Sequence, residues 1–258
     1  MNLSFNRSLA TGYRSGSQIA RVVTEDWVAR NMFCPICGAP MLRHYEANRP
    51  VADFFCADCK SDFELKSKKA EGAAIGHKIA DGAYSTMIER IVSNRNPHLF
   101  VMTYADWAVN NFMLIPNFFF VPDIIEKRPP LKDTDRRAGW TGCNINIENI
   151  PESGKIYIIK NGLQEDRQKV IDYYRRTVSL QTTQIESRGW MMDVLICVEK
   201  IPADNFKLDE VYSFADELQK KHPENHFIKD KIRQQLQYLR DKGFIEFTAR
   251  GNYKKTVK

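Results

Sequence analysis

Apolar residues recur at helical spacing over residues 17 to about 32, where Ile19, Val22, Val23 and Trp27 share one face and Thr24, Glu25 and Asp26 lie on the wetter side. Residues 62–67 read as a strand. The run HLFVMTY (98–104) suits a buried strand, and residues 111–115, 118–121 and 155–160 (KIYIIK) predict three more. Residues 81–93, with Ala83, Met87, Ile88 and Ile91 on one face, and residues 166–177 predict helices. This alternation predicts an α/β fold, a mixed sheet flanked by helices.

Residues 179–188 (SLQTTQIESR) are polar and read as a linker, which divides the chain into residues 1–182 and 183–258. Beyond it the pattern predicts helices over 190–198, 208–221 and 227–242. The second has Asp209 and Glu210 in its first turn and Lys220 and Lys221 in its last, an order that suits the helix dipole. Gly243 closes the third. FIEFTARGNYKK then alternates and turns at Arg250-Gly251-Asn252. Three helices and a small hairpin are the layout of a winged helix, whose third helix enters the major groove while the wing touches the DNA backbone. Ile232, Leu236 and Leu239 make the core stripe of that helix. Lys229, Arg233, Gln234, Gln237 and Arg240 are left for DNA, with Arg250 and Lys254 on the wing. Arg and Gln are the side chains that pair bidentately with guanine and adenine. Winged helices also serve as protein-interaction modules, and the basic face favours DNA.

Charge sharpens this picture. The whole chain nets +6, a mild excess, but residues 226–258 carry nine basic and three acidic groups and so net +6 by themselves. A composition of 43% hydrophobic and 27% charged residues is ordinary for globular proteins and excludes a disordered tail, a collagen-like fibre and a membrane bundle. No apolar run reaches the roughly 18 residues that span a bilayer. MNLSFNRSLATGYRSGSQ lacks the apolar core of a secretory signal, so a cytoplasmic location is expected.

Four of six cysteines form a pattern. Cys34-Pro-Ile-Cys37 and Cys56-Ala-Asp-Cys59 are separated by eighteen residues, a spacing within the range of a tetrahedral structural zinc site. Gly38 suits the turn of a zinc knuckle. Disulfides are the weaker explanation in an intracellular protein, and a redox C-x-x-C would not need two copies. Four thiolates would leave no open position for catalysis at that zinc. Cys143 and Cys197 stand alone and read as core residues.

A second constellation overlaps the first. Asp53 precedes Glu64-Leu65-Lys66, and in a strand residues two apart point to the same face. Glu64 and Lys66 therefore project together. If Asp53 ends a neighbouring strand, two carboxylates and an ammonium converge, which is what metal-assisted phosphodiester hydrolysis needs: hard oxygen ligands for Mg²⁺ and a cation for the charge developing on phosphorus. A metal knuckle at the tip of that hairpin would hold the register of the two strands. D…E-x-K alone is common on surface hairpins; the apolar alternation around it, the basic residues after it and the DNA-binding module downstream raise its weight.

These residues resemble the PD-(D/E)xK nuclease motif of restriction endonucleases, with the proline displaced to Pro50. TEDWVAR (24–30), NRPVADFFCADC (48–59), FELKSKK (63–69), DGAY (81–84), RRAGWTGCNI (136–145), SRGW (187–190) and IRQQLQYLRDKGFIEF (232–247) together resemble the DpnI-like methyl-directed type II restriction endonucleases, over about residues 17 to 255. The resemblance implies a PD-(D/E)xK domain with an embedded zinc site followed by a winged helix, and cleavage of double-stranded DNA within GATC sites carrying N6-methyladenine. It implies catalytic roles for Asp53, Glu64 and Lys66, Mg²⁺ held by Asp53, Glu64 and the Leu65 main-chain carbonyl, and structural zinc on Cys34, Cys37, Cys56 and Cys59. A monomer is expected, since no dimer helix is evident.

N6-methyladenine adds an apolar group to the major groove. One buried methyl is worth roughly 0.8 kcal/mol, so two per palindrome give about a factor of ten in binding. Stronger discrimination needs a pocket that becomes costly without the methyl, or a coupling to cleavage. Trp140, in a glycine-flanked loop just after Arg136 and Arg137, and Trp190 are the candidate aromatics, with core packing favoured for Trp190 beside Met191 and Met192. The remaining alternatives are the same scaffold with another specificity, and a non-catalytic zinc and winged-helix regulator, which the presence of Asp53, Glu64 and Lys66 disfavours.

Overall fold

The computed structural model describes residues 1–46, 52–70 and 75–256. Helix α1 (Gly16–Asn31) lies across a seven-stranded sheet built from β1 (Arg43–His44), β2 (Phe54–Phe55), β3 (Asp62–Lys69), β5 (His98–Ala105), β6 (Ala108–Ile115), β9 (Ile156–Lys160) and β10 (Leu163–Gln164), in that order. Among the described residues only β3 and β5 pair in parallel, with Glu64 opposite Leu99 and Lys66 opposite Val101. β4 (Lys78–Ala83), β7 (Ile125–Lys127) and β8 (Gly142–Asn146) form a smaller antiparallel sheet in the order β4-β8-β7, and α2 (Tyr84–Val92) follows β4 directly.

The main core forms where α1 covers the sheet. Trp27 is fully buried, meets Phe112 edge-on and donates its indole N–H to the Asn2 carbonyl at 2.8 Å. Phe63 stacks on Phe100, which contacts Phe112. Each of these phenylalanines is fully buried and is worth roughly 1.5–3 kcal/mol by transfer.

Among the described residues, five helices and a three-stranded sheet make up the rest. α3 (Arg167–Val178) is capped by Asp166, whose carboxylate accepts from the Lys169 N–H at 3.0 Å. α4 (Ile185–Lys200) is followed by β11 (Asn205–Lys207), α5 (Leu208–Tyr212), α6 (Ala215–Lys221), α7 (Ile228–Asp241), β12 (Ile245–Ala249) and β13 (Asn252–Lys255), with the strands ordered β11-β13-β12. α4 is buried around most of its girth because it is shared. On one side Arg188 donates to the Phe120 carbonyl at 2.7 Å, and Glu199 accepts from the Glu152 and Ser153 N–H groups. On the other, Trp190 stacks on His222 with ring centroids 3.7 Å apart. No helix among the described residues is long and apolar enough to cross a membrane.

The structure corrects several expectations. Residues 118–121 form no strand; Phe118 and Phe119 lie in the 3₁₀ turn Asn117–Phe119, and Phe120 and Val121 join it to the next turn, Pro122–Ile124, because Pro116 and Pro122 bracket the run and cannot donate to a ladder. The helix expected over 208–221 breaks at Ser213, whose hydroxyl bonds back to the Glu210 carbonyl at 2.6 Å. The polar segment 179–188 is linker only as far as Gln184; Ile185 already opens α4 and Arg188 is buried. Asp81, expected to open a helix, sits in β4.

Candidate active site and nucleic-acid interface

The β2–β3 hairpin carries Asp53, Glu64 and Lys66 together with one cysteine pair, Cys56 and Cys59, while Cys34 and Cys37 follow α1. At its base Asp53 donates its N–H to the Phe63 carbonyl at 2.9 Å, and its carboxylate Oδ2 accepts from the Leu65 N–H at 2.6 Å. Alternation along β3 puts the Leu65 carbonyl on the edge that faces Asp53, beyond the short pairing with β2. Pro50 lies outside the described residues.

Glu64 and Lys66 project from the same face of β3, with Lys66 Nζ 2.7 Å from Glu64 Oε1. A third group completes the pair: the same ammonium also bonds Asp81 Oδ1. Asp81 is the most enclosed of the three, with side-chain exposure of 5% against 17% for Glu64 and 24% for Lys66. It reaches Lys66 because the β4–β8 ladder slips between Asp81 and Ala83, and such a bulge re-aims a side chain. Sequence periodicity does not reveal Asp81, because its short strand runs directly into α2 and the apolar spacing of Ala83, Met87 and Ile91 bridges the two.

Electrostatics tie these groups together. Burial pushes the Glu64 carboxyl above its ordinary range; Lys66 opposes this, and Asp81 and Asp53 add to it. Burial works to deprotonate Lys66, but the Glu64 and Asp81 carboxylates outweigh it and raise its pKa. Glu25 on α1 is also raised, first by burial and then by the charge of Asp53, although it bonds His44 at 3.1 Å. Glu25 is a further acid that the sequence reading placed only on the wetter side of a helix. Several carboxylates thus surround one ammonium, a donor set of hard oxygens with excess negative charge. That chemistry fits a divalent cation such as Mg²⁺.

The four cysteines Cys34, Cys37, Cys56 and Cys59 offer sulfurs that all lie within 4.8 Å of one another. The Cys34–Cys59 and Cys37–Cys56 sulfurs are 3.6 Å apart, far beyond a disulfide bond and close to the about 3.8 Å edge of a tetrahedron with zinc–sulfur bonds of about 2.3 Å. Each knuckle turns the same way. Gly38 N–H donates to the Cys34 carbonyl and Lys60 N–H to the Cys56 carbonyl, and both residues have positive φ, +82° and +61°. Burial raises the Cys34 and Cys56 thiols, so a bound cation is what would favour their thiolates. The four cysteines form a site that fits zinc. Cys143 and Cys197 are buried and separate from it.

Trp140 lies in the loop joining β7 to β8, closed by the Leu131 N–H to the Trp140 carbonyl at 2.9 Å. It is half-buried, and two guanidiniums rest on its ring: Arg137 at 4.8 Å and Arg128 at 5.8 Å from the centroid. Arg136 and Arg137 are exposed. Trp190, in contrast, is 1% exposed and belongs to the core.

In the C-terminal region α7 buries Ile228, Ile232, Gln235, Leu236 and Leu239 and exposes Lys229, Arg233, Gln234, Gln237 and Arg240. Arg233 is paired with Asp230 and Arg240 with Asp241 at 2.7 Å. Arg250 and Lys254 are exposed on the β12–β13 hairpin.

A mixed α/β unit with a four-cysteine metal site, joined to a small helical unit with an exposed basic helix, defines the class of protein. Comparison with protein families then places it. Residues 1–183 match the family model described as DpnI, Dam-replacing family, and residues 186–255 match the Dam-replacing HTH domain. The chain belongs to the Dam-replacing family. Membership points to methyl-directed restriction endonuclease activity, and the HTH domain to DNA binding.

Proposed function

We propose that this chain is a Mg²⁺-dependent type II endonuclease of the PD-(D/E)xK class that hydrolyses double-stranded DNA within GATC sites carrying N6-methyladenine. It acts as a cytoplasmic monomer, with residues 1–182 as the zinc-bearing nuclease unit and 183–258 as the winged-helix DNA-binding unit. The observation that carries the reading is the pairing of Glu64 and Lys66 on one face of β3 with the Asp53 carboxylate anchored on the intervening Leu65 N–H.

In this reading Asp53, Glu64 and the Leu65 carbonyl hold Mg²⁺, which supplies Lewis-acid polarisation of the phosphate and an acidified water when bound. Lys66 orients the attacking water and offsets the negative charge that builds on the phosphorus oxygens. The zinc knuckles hold the tip of the hairpin whose base carries Asp53, so the two catalytic strands keep their register. Lys229, Arg233, Gln234, Gln237 and Arg240 read the major groove, Arg250 and Lys254 contact phosphate, and Arg136, Arg137 and Trp140 engage DNA beside the nuclease centre. Trp140 supplies the aromatic wall against which the adenine methyl packs.

The test is cleavage of one plasmid, prepared with and without adenine methylation at GATC, in Mg²⁺. Cutting of the methylated form alone is expected. Cutting of both forms, or of the unmethylated form alone, rejects the specificity; no cutting by the folded, zinc-loaded protein rejects the nuclease assignment.

A further inference from the structure

Arg128 occupies a place that the assigned roles leave unexplained. It follows β7 directly, and its N–H donates to the Gly142 carbonyl of β8 at 2.9 Å. Its side chain turns back under the loop, with the guanidinium 5.8 Å from the Trp140 ring centroid. The same guanidinium donates from Nη2 to the Asp81 carbonyl at 3.0 Å. It lies flat on Gly142, where a β-carbon would fall 2.0 Å from Nη2, so glycine is what admits it. Its Nε is buried without a hydrogen-bond partner among the described residues. A buried, unsatisfied donor beside a half-buried tryptophan leaves this side chain short of one acceptor.

Asp81 continues the chain of contacts. Its main chain is held by Arg128, its carboxylate holds Lys66, and the bulge after it leaves this point of β4 less firmly laddered than the rest. One continuous set of contacts therefore runs from the Trp140 ring through Arg128 and Asp81 to the ammonium on β3. Two methyl groups supply only a modest difference in affinity, and a coupling to the cleavage step is one of two routes to a stronger methyl preference, beside a pocket that becomes costly without the methyl.

We propose that Arg128 couples the Trp140 loop to Lys66: DNA seated against Trp140 sets the guanidinium, the guanidinium sets the main chain of Asp81, and the Asp81 carboxylate sets the ammonium. Arg128 and Asp81 are positioning residues, and the proposal rests on the reading of Trp140 as the methyl-contacting aromatic and Lys66 as catalytic.

The experiment is a double-mutant cycle on the full zinc-loaded chain. It measures single-turnover cleavage of a methylated GATC duplex at saturating enzyme, and equilibrium binding of the same duplex with Mg²⁺ omitted. Arg128→Gln and Asp81→Asn are each expected to slow cleavage about tenfold or more, with binding within about threefold of the parent. The double variant is expected to be no slower than the worse single variant, because both act through one ammonium. Arg137→Gln rests on the same ring without a bond to Asp81 among the described residues; its effect on the rate should multiply with that of Asp81→Asn. Multiplicative losses for Arg128 and Asp81, or a loss confined to binding, overturn the coupling. If Arg128→Gln does not fold, Arg128→Lys, which keeps the charge and loses the fork, replaces it in the same cycle. Trp140→Ala separates the two failures: if it keeps full methyl preference, the reading of Trp140 falls, whereas an Arg128–Asp81 cycle that fails beside a Trp140→Ala variant that has lost preference rejects the coupling alone.

Discussion

The charged groups of β3 and those of α7 are used in opposite ways. On β3 the side chains of Glu64 and Lys66 are mostly enclosed and contact each other, and Lys66 meets Asp81, so the two carboxylates raise the Lys66 pKa while Lys66 opposes the rise of the Glu64 carboxyl. On α7 the cations stand in water over an apolar stripe, and the acids they pair with, Asp230 and Asp241, are themselves exposed. An enclosed charge interacts strongly over short distances and tolerates no displacement. A solvated charge interacts weakly, over about a Debye length, and is screened by salt. The first arrangement suits bond-making at one point; the second suits adhesion to a polyanion. Removing a group should therefore be nearly all-or-none in one region and graded in the other.

The largest effect is expected at the base of the hairpin. Asp53→Ala should lower the single-turnover cleavage rate by on the order of 10³-fold while duplex binding stays within a few-fold; surviving Mg²⁺-dependent cleavage rejects the assignment of Asp53 as a metal ligand. Next comes the metal knuckle. Cys37→Ser should release zinc, measured by atomic absorption, and destabilise the chain by several kcal/mol, lowering Tm by roughly 10 °C. A zinc-free variant of full stability would show that the four cysteines are not structural.

On α7 the losses should be smaller and separable. Gln237→Ala should weaken binding to the preferred duplex by about 1–3 kcal/mol and relax preference at one base, read by competition among duplex variants. Lys254→Ala should weaken binding evenly across sequences and reduce the salt slope by about one; an unchanged slope removes it from the phosphate contacts.

The last effect concerns stability rather than activity. His98 on β5 is fully enclosed, accepts from the Asn117 N–H at 3.1 Å, and burial pushes its pKa down from 6.5 to about 3. Between those values the unfolded chain binds a proton that the folded chain refuses. This contribution to stability is therefore complete above pH 6.5 and is lost as pH falls towards 3, by at most about 1.4 kcal/mol per unit. Tm should drop between pH 7 and pH 5, and His98→Gln should flatten that part of the profile.

Much of the site was legible because its parts are local. The two C-x-x-C knuckles, the Glu64-Leu65-Lys66 alternation and the exposed face of α7 each follow from spacing within one element, and a period of 2 or 3.6 settles which residues share a face. The proline-bracketed run at 118–121 reads as a strand because its three phenylalanines outweigh the missing donors at Pro116 and Pro122. Asp81 is hidden because the helical apolar spacing of α2 continues back through the short strand that carries it.

By itself, then, the sequence determined the spacing of the four cysteines, the shared face of Glu64 and Lys66 and the exposed basic face of α7. Only the tertiary structure decided that Asp81 closes on Lys66, that Glu25 lies in the field of Asp53, and that Arg128 joins Trp140 to β4. These contacts cross between elements far apart in the chain, and a side chain's own type and neighbours carry no information about which distant carboxylate or ring it will meet. Packing of the second sheet and α1 against β3 supplies that, and a residue in the bulge of β4 takes its direction from the slipped ladder rather than from any local period.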